Sequence, residues 1–231
     1  MSETVEIRLG SDLVPVAVRR NARARRLQFR LDARTGDVRL TLPPGVSEAR
    51  GLAFVRDKAA WIKPRRDRIL ADQQRLSEGG HIPLNGRLLP LEFGEAPALT
   101  ADQIVVREAT ATADLAKLLI TRAKAQLTPL AHDKAKALGL PIARLSFRDT
   151  KTRWGSCSGD GKISLNWRII CAEPLLQDYL AAHEVAHLKE PHHQPPFWAQ
   201  CAALMAQPQA LEDARAKLRA IGPRLMALPL S

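Results

Sequence analysis

The sequence predicts an α+β fold, with an N-terminal antiparallel β-rich part carrying a helix over residues 1–108 and a part with a small sheet and several helices over residues 109–231. Three patterns predict it. Apolar and polar residues alternate across residues 5–45, the period of half-buried strands. From Thr112 to Leu138 the apolar residues recur at three- and four-residue steps instead, the period of a helix face. A further helical segment, opened by Pro174, carries His183-Glu184-Val185-Ala186-His187 in phase with an apolar stripe, and the second part is organised around it.

The elements follow in order. Val14, Val16 and Val18 mark one strand, Leu27, Phe29 and Leu31 a second, and Val38, Leu40 and Leu42 a third. Thr35-Gly36, within Asp32–Asp37, supplies a short hairpin connection between the last two. Pro43-Pro44-Gly45 ends this segment. Ser47 is the expected N-cap of a basic helix running to about Gln74, with Leu52, Val55, Ala59 and Ile62 as its apolar stripe; Pro64 is expected to kink or split it. Gly79-Gly80 breaks the helix. His81–Phe93 reads as a hairpin turning at Asn85-Gly86, where both residues suit a positive φ. Residues 94–100 read as a loop, and Ile104–Val106 as a last short strand before the boundary near residue 108.

In the second part, Leu115, Leu119, Ala123, Leu127 and Leu130 stripe one helix. Pro129 is expected to divide it and Gly139 to stop it. Leu145–Phe147 begins a strand, Gly159-Asp160-Gly161 makes a turn, and Ile163–Ile169 is an alternating strand leading to the Pro174 helix, proline being well placed in a first helical turn. Phe197, Cys201, Leu204 and Met205 mark one short later helix; Leu211, Ala214, Leu218 and Ile221 mark the last.

Composition narrows the class. At 231 residues, 45% hydrophobic and 26% charged, the chain can bury a proper core. No apolar run approaches the roughly 20 residues that span a bilayer, and Met1–Leu9 lacks the apolar core of a signal peptide, so no membrane partner is expected and the expected compartment is the cytoplasm. Three cysteines, Cys157, Cys171 and Cys201, show no C-x-x-C spacing and fit a reducing compartment. Cys157 reads as a small packed thiol rather than a nucleophile. The net charge of +11 favours anionic partners, nucleotides or nucleic acid among them. Against that, no phosphate-cradling glycine loop or nucleic-acid motif accompanies it, and a solvated basic surface accounts for the charge.

The chemistry is concentrated in H-E-x-x-H. Residues i and i+4 of a helix share a face, with Cβ atoms roughly 5–6 Å apart. That spacing lets His183 and His187 each bring a ring nitrogen to about 2.0–2.1 Å from one zinc ion. Glu184, one position on, lies beside that metal and can act on a water. Catalytic zinc takes a third protein ligand. Pro191 turns the chain out of the helix after His187, and His192 and His193 follow at once, either able to swing back.

These residues resemble a known family. Thr152–Ser158 (T-R-W-G-S-C-S), the strand Ile163–Ile169, Asp178-Tyr179, His183–His187, His193 and Phe197-Trp198 together resemble the YgjP-like metallopeptidases, which group with the SprT-like and other zincins. The similarity reaches back to Arg25-Arg26-Leu27, Leu42-Pro43 and Trp61-Ile62, and so covers nearly the whole chain. It implies a zincin-like second part with an active-site helix, one catalytic Zn2+ held by His183, His187 and His193 in an H-E-x-x-H-x5-H arrangement, and Glu184 as base. The family places asparagine before the third histidine and serine after it; this chain has His192 and Gln194 there, which makes His192 a candidate for the surroundings of the metal or for the substrate cleft.

The leading expectation is a zinc metallopeptidase acting on peptide or protein substrates, with Glu184 moving protons between water and leaving amine. Ile163–Ile169 is the expected edge strand on which a peptide lies. Arg153, Asn166, Arg168, Tyr179 and His192 are the candidate substrate contacts, although for each arginine an ordinary ion pair is at least an equal expectation, and for Tyr179 simple packing is the stronger one. Two alternatives share the metal: a nucleoside triphosphate pyrophosphatase, since zinc also serves phosphoryl oxygens, and a protease recruited to DNA by its basic surface.

Overall fold

The structure is a computed structural model and describes residues 3–32, 35–77, 80–228 and 230. The expected Gly79 break and two residues of the Asp32–Asp37 connection lie outside the described residues. The fold is mixed α+β, as expected. One compact unit holds β1 (Glu3–Leu9), β2 (Asp12–Arg20), β3 (Gln28–Leu31), β4 (Val38–Leu42), α1 (Glu48–Asp57) and α2 (Ala59–Ser77). A second holds β5 (His81–Leu84), β6 (Arg87–Phe93), β7 (Ala98–Leu99), β8 (Ile104–Val106), α3 (Ala111–Ala137), β9 (Arg144–Arg148), β10 (Gly155–Cys157), β11 (Lys162–Asn166), α4 (Pro174–Ala186), α5 (Pro195–Leu204) and α6 (Leu211–Ala227) as far as Met226.

In the first unit the strand order is β1-β2-β4-β3. Alternation decides which face is buried: Val14, Val16 and Val18 of β2 and Val38, Leu40 and Leu42 of β4 pack with Leu52 and Val55 of α1 and Ile62 of α2. Each such side chain taken out of water contributes about 1.5–3 kcal/mol. Ser47 caps α1, its Oγ accepting from the Arg50 N–H at 3.3 Å. The sheet is mixed rather than wholly antiparallel. β1–β2 and β3–β4 pair antiparallel, but β2–β4 pair parallel. The reason is that residues 21–27 carry the chain past a vacant position that β4 fills afterwards. The helix break falls at Lys58, which ends α1, and not at Pro64, which lies inside α2.

The second unit repeats that connectivity in its four-stranded sheet, ordered β5-β6-β8-β7, although the sequence carries no visible repeat. The Asn85-Gly86 turn forms as expected, with φ of 51° and 78°. Its tip is held by tertiary contacts: the Asn85 N–H donates to the Ile170 carbonyl at 2.8 Å. Helix α3 runs unbroken through Pro129, with Leu127 and Ala131 fully buried on either side of it; Gly139 then stops it at φ 68°. Packing on both flanks outweighs the one hydrogen bond that the proline removes.

The three-stranded sheet β10-β11-β9 differs from expectation in two ways. The strand ends at Asn166, and Trp167–Cys171 is a 3-10 turn. The Asn166 side chain causes the change by accepting from the Arg168 N–H at 3.0 Å, which caps the turn. This strand, β11, is also central rather than an edge, flanked by β10 antiparallel and β9 parallel. The edge beside the motif helix is β10.

Candidate metal centre

Helix α4 begins with Pro174 at its first turn and is apolar on nearly all sides: Leu176, Leu180, Ala181, Ala182, Val185 and Ala186 are all buried. A helix this buried is fixed by packing, so the side chains of its last turn hold their directions. It ends at Ala186, with His187 as C-cap, and the next turn tightens as Leu188, Lys189 and Glu190 donate back to Val185 and Ala186. Pro191 cannot continue the helix, and the chain reverses into α5.

That reversal brings three imidazoles together. The His183, His187 and His193 rings lie 4.8 to 5.0 Å apart, centroid to centroid, in a near-equilateral triangle. One nitrogen from each falls within 4.8 Å of the others. The His183 and His193 Nε2 atoms are 3.1 Å apart, close to the separation of about 3.3 Å between two nitrogens bound tetrahedrally to one zinc at 2.0–2.1 Å. Phe197, fully buried on α5, is the floor: its ring lies 4.5 to 4.9 Å from all three.

The outward ring nitrogens of His187 and His183 are engaged. His187 Nδ1 lies 3.1 Å from the Glu190 carbonyl oxygen. A carbonyl only accepts, so Nδ1 carries the proton and the Nε2 lone pair is left for a metal. His183 Nδ1 faces the Tyr179 hydroxyl at 3.4 Å, and burial pushes that hydroxyl's pKa up to about 12, so it keeps its proton. Burial, followed by the neighbouring His187 and His193, holds the His183 pKa down at about 3. Burial likewise lowers that of His187. Neutral imidazoles with no carboxylate among them are a donor set suited to zinc.

Glu184 is 4% exposed, and among the described residues no hydrogen bond reaches its carboxylate. Burial raises its pKa to about 8, opposed by the positive charge of Arg153. A buried carboxyl without a partner is costly, and such groups concentrate at functional sites.

The other candidates separate. Arg153 is exposed at the end of the segment leading into β10, and its charge is felt at Glu184. His192 is exposed and stands outside the triangle. Arg168 is fully buried, its Nε donating to Asp149 Oδ1 at 2.7 Å, and Asn166 donates to the Thr150 carbonyl at 2.8 Å. Both are therefore structural: burial takes Arg168 out of reach of a substrate, and Asn166 is committed to its turn. Tyr179 is 6% exposed and turned toward His183 rather than toward solvent. Cys157 is half-buried and its thiol is pushed up to about 11, first by burial and then by the negative charge of Glu184, which leaves it a poor nucleophile.

Trp198 and Asp178 belong to the residues that carry the family resemblance, whereas their partners Arg215 and Lys134, and Gln177, have no sequence signal. Trp198 stacks on His193 at 5.5 Å, and the Arg215 guanidinium of α6 covers Trp198 at 4.2 Å. Behind α4, Lys134 of α3 donates to Asp178 Oδ1 at 2.5 Å and to the Leu204 carbonyl at 2.6 Å, while Asp178 Oδ2 accepts from the Ala206 N–H at 2.8 Å. This group ties α3, α4 and the end of α5 together. Gln177, 1% exposed, donates to Asn85 and to the Ala172 carbonyl, anchoring the β5–β6 turn beneath α4.

The family model described as YgjP-like, metallopeptidase domain, matches residues 25–220. The chain belongs to the YgjP-like metallopeptidase family. At family level it is therefore a hydrolase, a metal-dependent peptidase whose substrates are peptides or proteins. No curated protein and no solved structure gives a significant match. Among the described residues no helix is long and apolar enough to cross a membrane.

Proposed function

We propose that this YgjP-like metallopeptidase is a zinc peptidase of the H-E-x-x-H-x5-H type, in which His183, His187 and His193 hold one ion and Glu184 is the general base. The observation that carries the proposal is the imidazole triangle with a buried, unpartnered carboxylate on the same helix turn. Zinc bound there supplies a Lewis acid that polarises the scissile carbonyl and acidifies water.

The chain's own residues supply the rest. Phe197 and Trp198 wall the histidines on one side and exclude water from it. The Glu190 carbonyl and the Tyr179 hydroxyl fix ring orientation, the support that keeps ligand geometry within tolerance. Glu184 takes the proton from the attacking water and returns it to the leaving amine. Arg153, exposed beside Glu184, is the cation positioned to meet a carbonyl or carboxylate oxygen of the peptide.

The test runs wild type and Glu184→Gln on labelled casein and on a nucleoside triphosphate panel, with zinc measured in each preparation. The expected result is about one zinc per chain in both, casein cleavage by wild type, and loss of cleavage in the variant. Full activity of Glu184→Gln would remove Glu184 from its role. Hydrolysis of nucleotides without casein cleavage would change the substrate class.

A further inference from the structure

We propose that Gly155 is a positioning residue for Glu184: the side chain missing from β10 is the space that the Glu184 carboxylate occupies. The inference rests on Glu184 as the base and adds a second element to its site. A Cβ built at Gly155 would stand 2.3 Å from Glu184 Oε1, 2.5 Å from Cδ and 2.6 Å from Cγ. Ordinary contact begins at about 3.4 Å. Conformation does not explain this glycine, since its φ is not positive, whereas those of Gly139 and Gly161 are. Space does. Among the described glycines, Gly155 is the one whose absent Cβ would strike a carboxylate; Gly51, Gly94 and Gly222 instead approach Leu42, Val105 and Trp154.

Both backbones are braced. Gly155 is paired with Leu165 of β11, the central strand of its sheet. Glu184 sits on a helix turn buried on both sides by Ala181, Ala182, Val185 and Ala186. With both main chains held, an added methyl moves the soft part, the Glu184 side chain, by about 1 Å. A displacement of that size in a catalytic group costs on the order of 100-fold in rate. The three atoms nearest the added methyl all belong to Glu184 and none to a histidine, so the metal is expected to stay.

The short strand β10 thus acts as a template. Tryptophan, glycine and serine at Trp154-Gly155-Ser156 place an edge strand against α4 so closely that only hydrogen fits at the middle position. The carboxylate is consequently walled by peptide backbone on one side, which restricts its rotamers.

The experiment is a pair of cycles on the full chain. Gly155→Ala is expected to keep its zinc, to lower kcat on labelled casein about 100-fold and to leave KM within about twofold. In the second cycle thermal stability is read for Gly155→Ala, Glu184→Ala and the double variant. The Tm deficit of Gly155→Ala is expected to vanish in the Glu184→Ala background, because the methyl then enters the space the carboxylate left. An undiminished kcat in Gly155→Ala, loss of zinc from it, or a Tm deficit that persists in the double variant overturns the proposal. If Gly155→Ala proves too unstable to assay, the double variant still decides through its folding. Failure of the base assignment is separable: it appears as turnover by Glu184→Gln while the stability cycle remains coupled.

Discussion

Lys134→Ala probes the support behind the motif helix. Lys134 is 7% exposed and lies 2.5 Å from Asp178 Oδ1 and 2.6 Å from the Leu204 carbonyl. Removing its ammonium group leaves Asp178, 9% exposed, with the Ala206 N–H as its remaining hydrogen-bond donor among the described residues, and strips the Leu204 carbonyl of its charged partner. Breaking one side of a buried pair costs about 3–5 kcal/mol, much of it from the uncompensated charge left behind. In a unit of about 150 residues each kcal/mol shifts Tm by about 2–4 °C, so the expected fall is about 10 °C. Urea and thermal unfolding followed by far-UV circular dichroism measure it, with a chelator present so that metal linkage does not mask the change. Lys134→Met with Asp178→Leu should recover most of the loss, since an apolar pair of similar volume avoids the buried charge. A single variant within 1 kcal/mol of wild type, or a double variant whose loss equals the sum of the two singles, would refute the reasoning.

Three further predictions follow from named contacts. His193→Ala should bind no zinc and lose the thermal shift that zinc gives wild type, about 2.7 kcal/mol at a free metal concentration 100 times Kd, while His192→Ala should keep both in a zinc titration followed by calorimetry. The Arg107 guanidinium and the Thr110 hydroxyl beside Asp114 hold its carboxyl well below the usual range. A depressed pKa contributes stability above the unfolded value of about 3.9 and loses it as pH falls toward the folded value; Asp114→Asn should therefore be less stable at pH 7, and its gap from wild type should close in acid denaturation series below about pH 4. A division of the chain after α2 or near residue 108 can be decided by expression: residues 80–231 should fold, because the Asn85 contacts to Ile170 and Gln177 are retained, and residues 109–231 should show a lower Tm or fail to fold. Equal stability of the two fragments would favour the division near residue 108.

Much of the site was readable from short-range pattern. H-E-x-x-H works through helix geometry alone, so His183, His187 and Glu184 could be named from spacing. Pro191 announced the reversal that brings His193 back, and Asn85-Gly86 announced its own turn because its φ values are a property of those two residues. Misreadings came where local preference met competing contacts. Pro129 should break a helix, yet Leu127 and Ala131 bury both flanks. Ile163–Ile169 alternates like a strand to its end, yet Asn166 caps a turn inside it. Arg168 reads equally as a substrate contact or as an ordinary ion pair, and it is the ion pair, with Asp149, that forms, fully buried.

By itself the sequence determined the candidate chemistry and the family: which imidazoles and which carboxylate share the motif helix, and the YgjP-like metallopeptidases as the family to which the chain belongs. Periodicity and breakers suffice for that, because they act over a few residues. The tertiary structure decided what surrounds that chemistry. The Phe197 floor, the Arg215–Trp198 cover, the Lys134–Asp178 clamp and the Gly155 gap beside Glu184 join positions between 17 and 44 residues apart along α3, β10, α4, α5 and α6, or bring one such position under several at once. Contacts of that kind have no period to read. They exist only once the sheet and helices have packed, since it is the packed backbone that sets which side chains meet and how much room each is left.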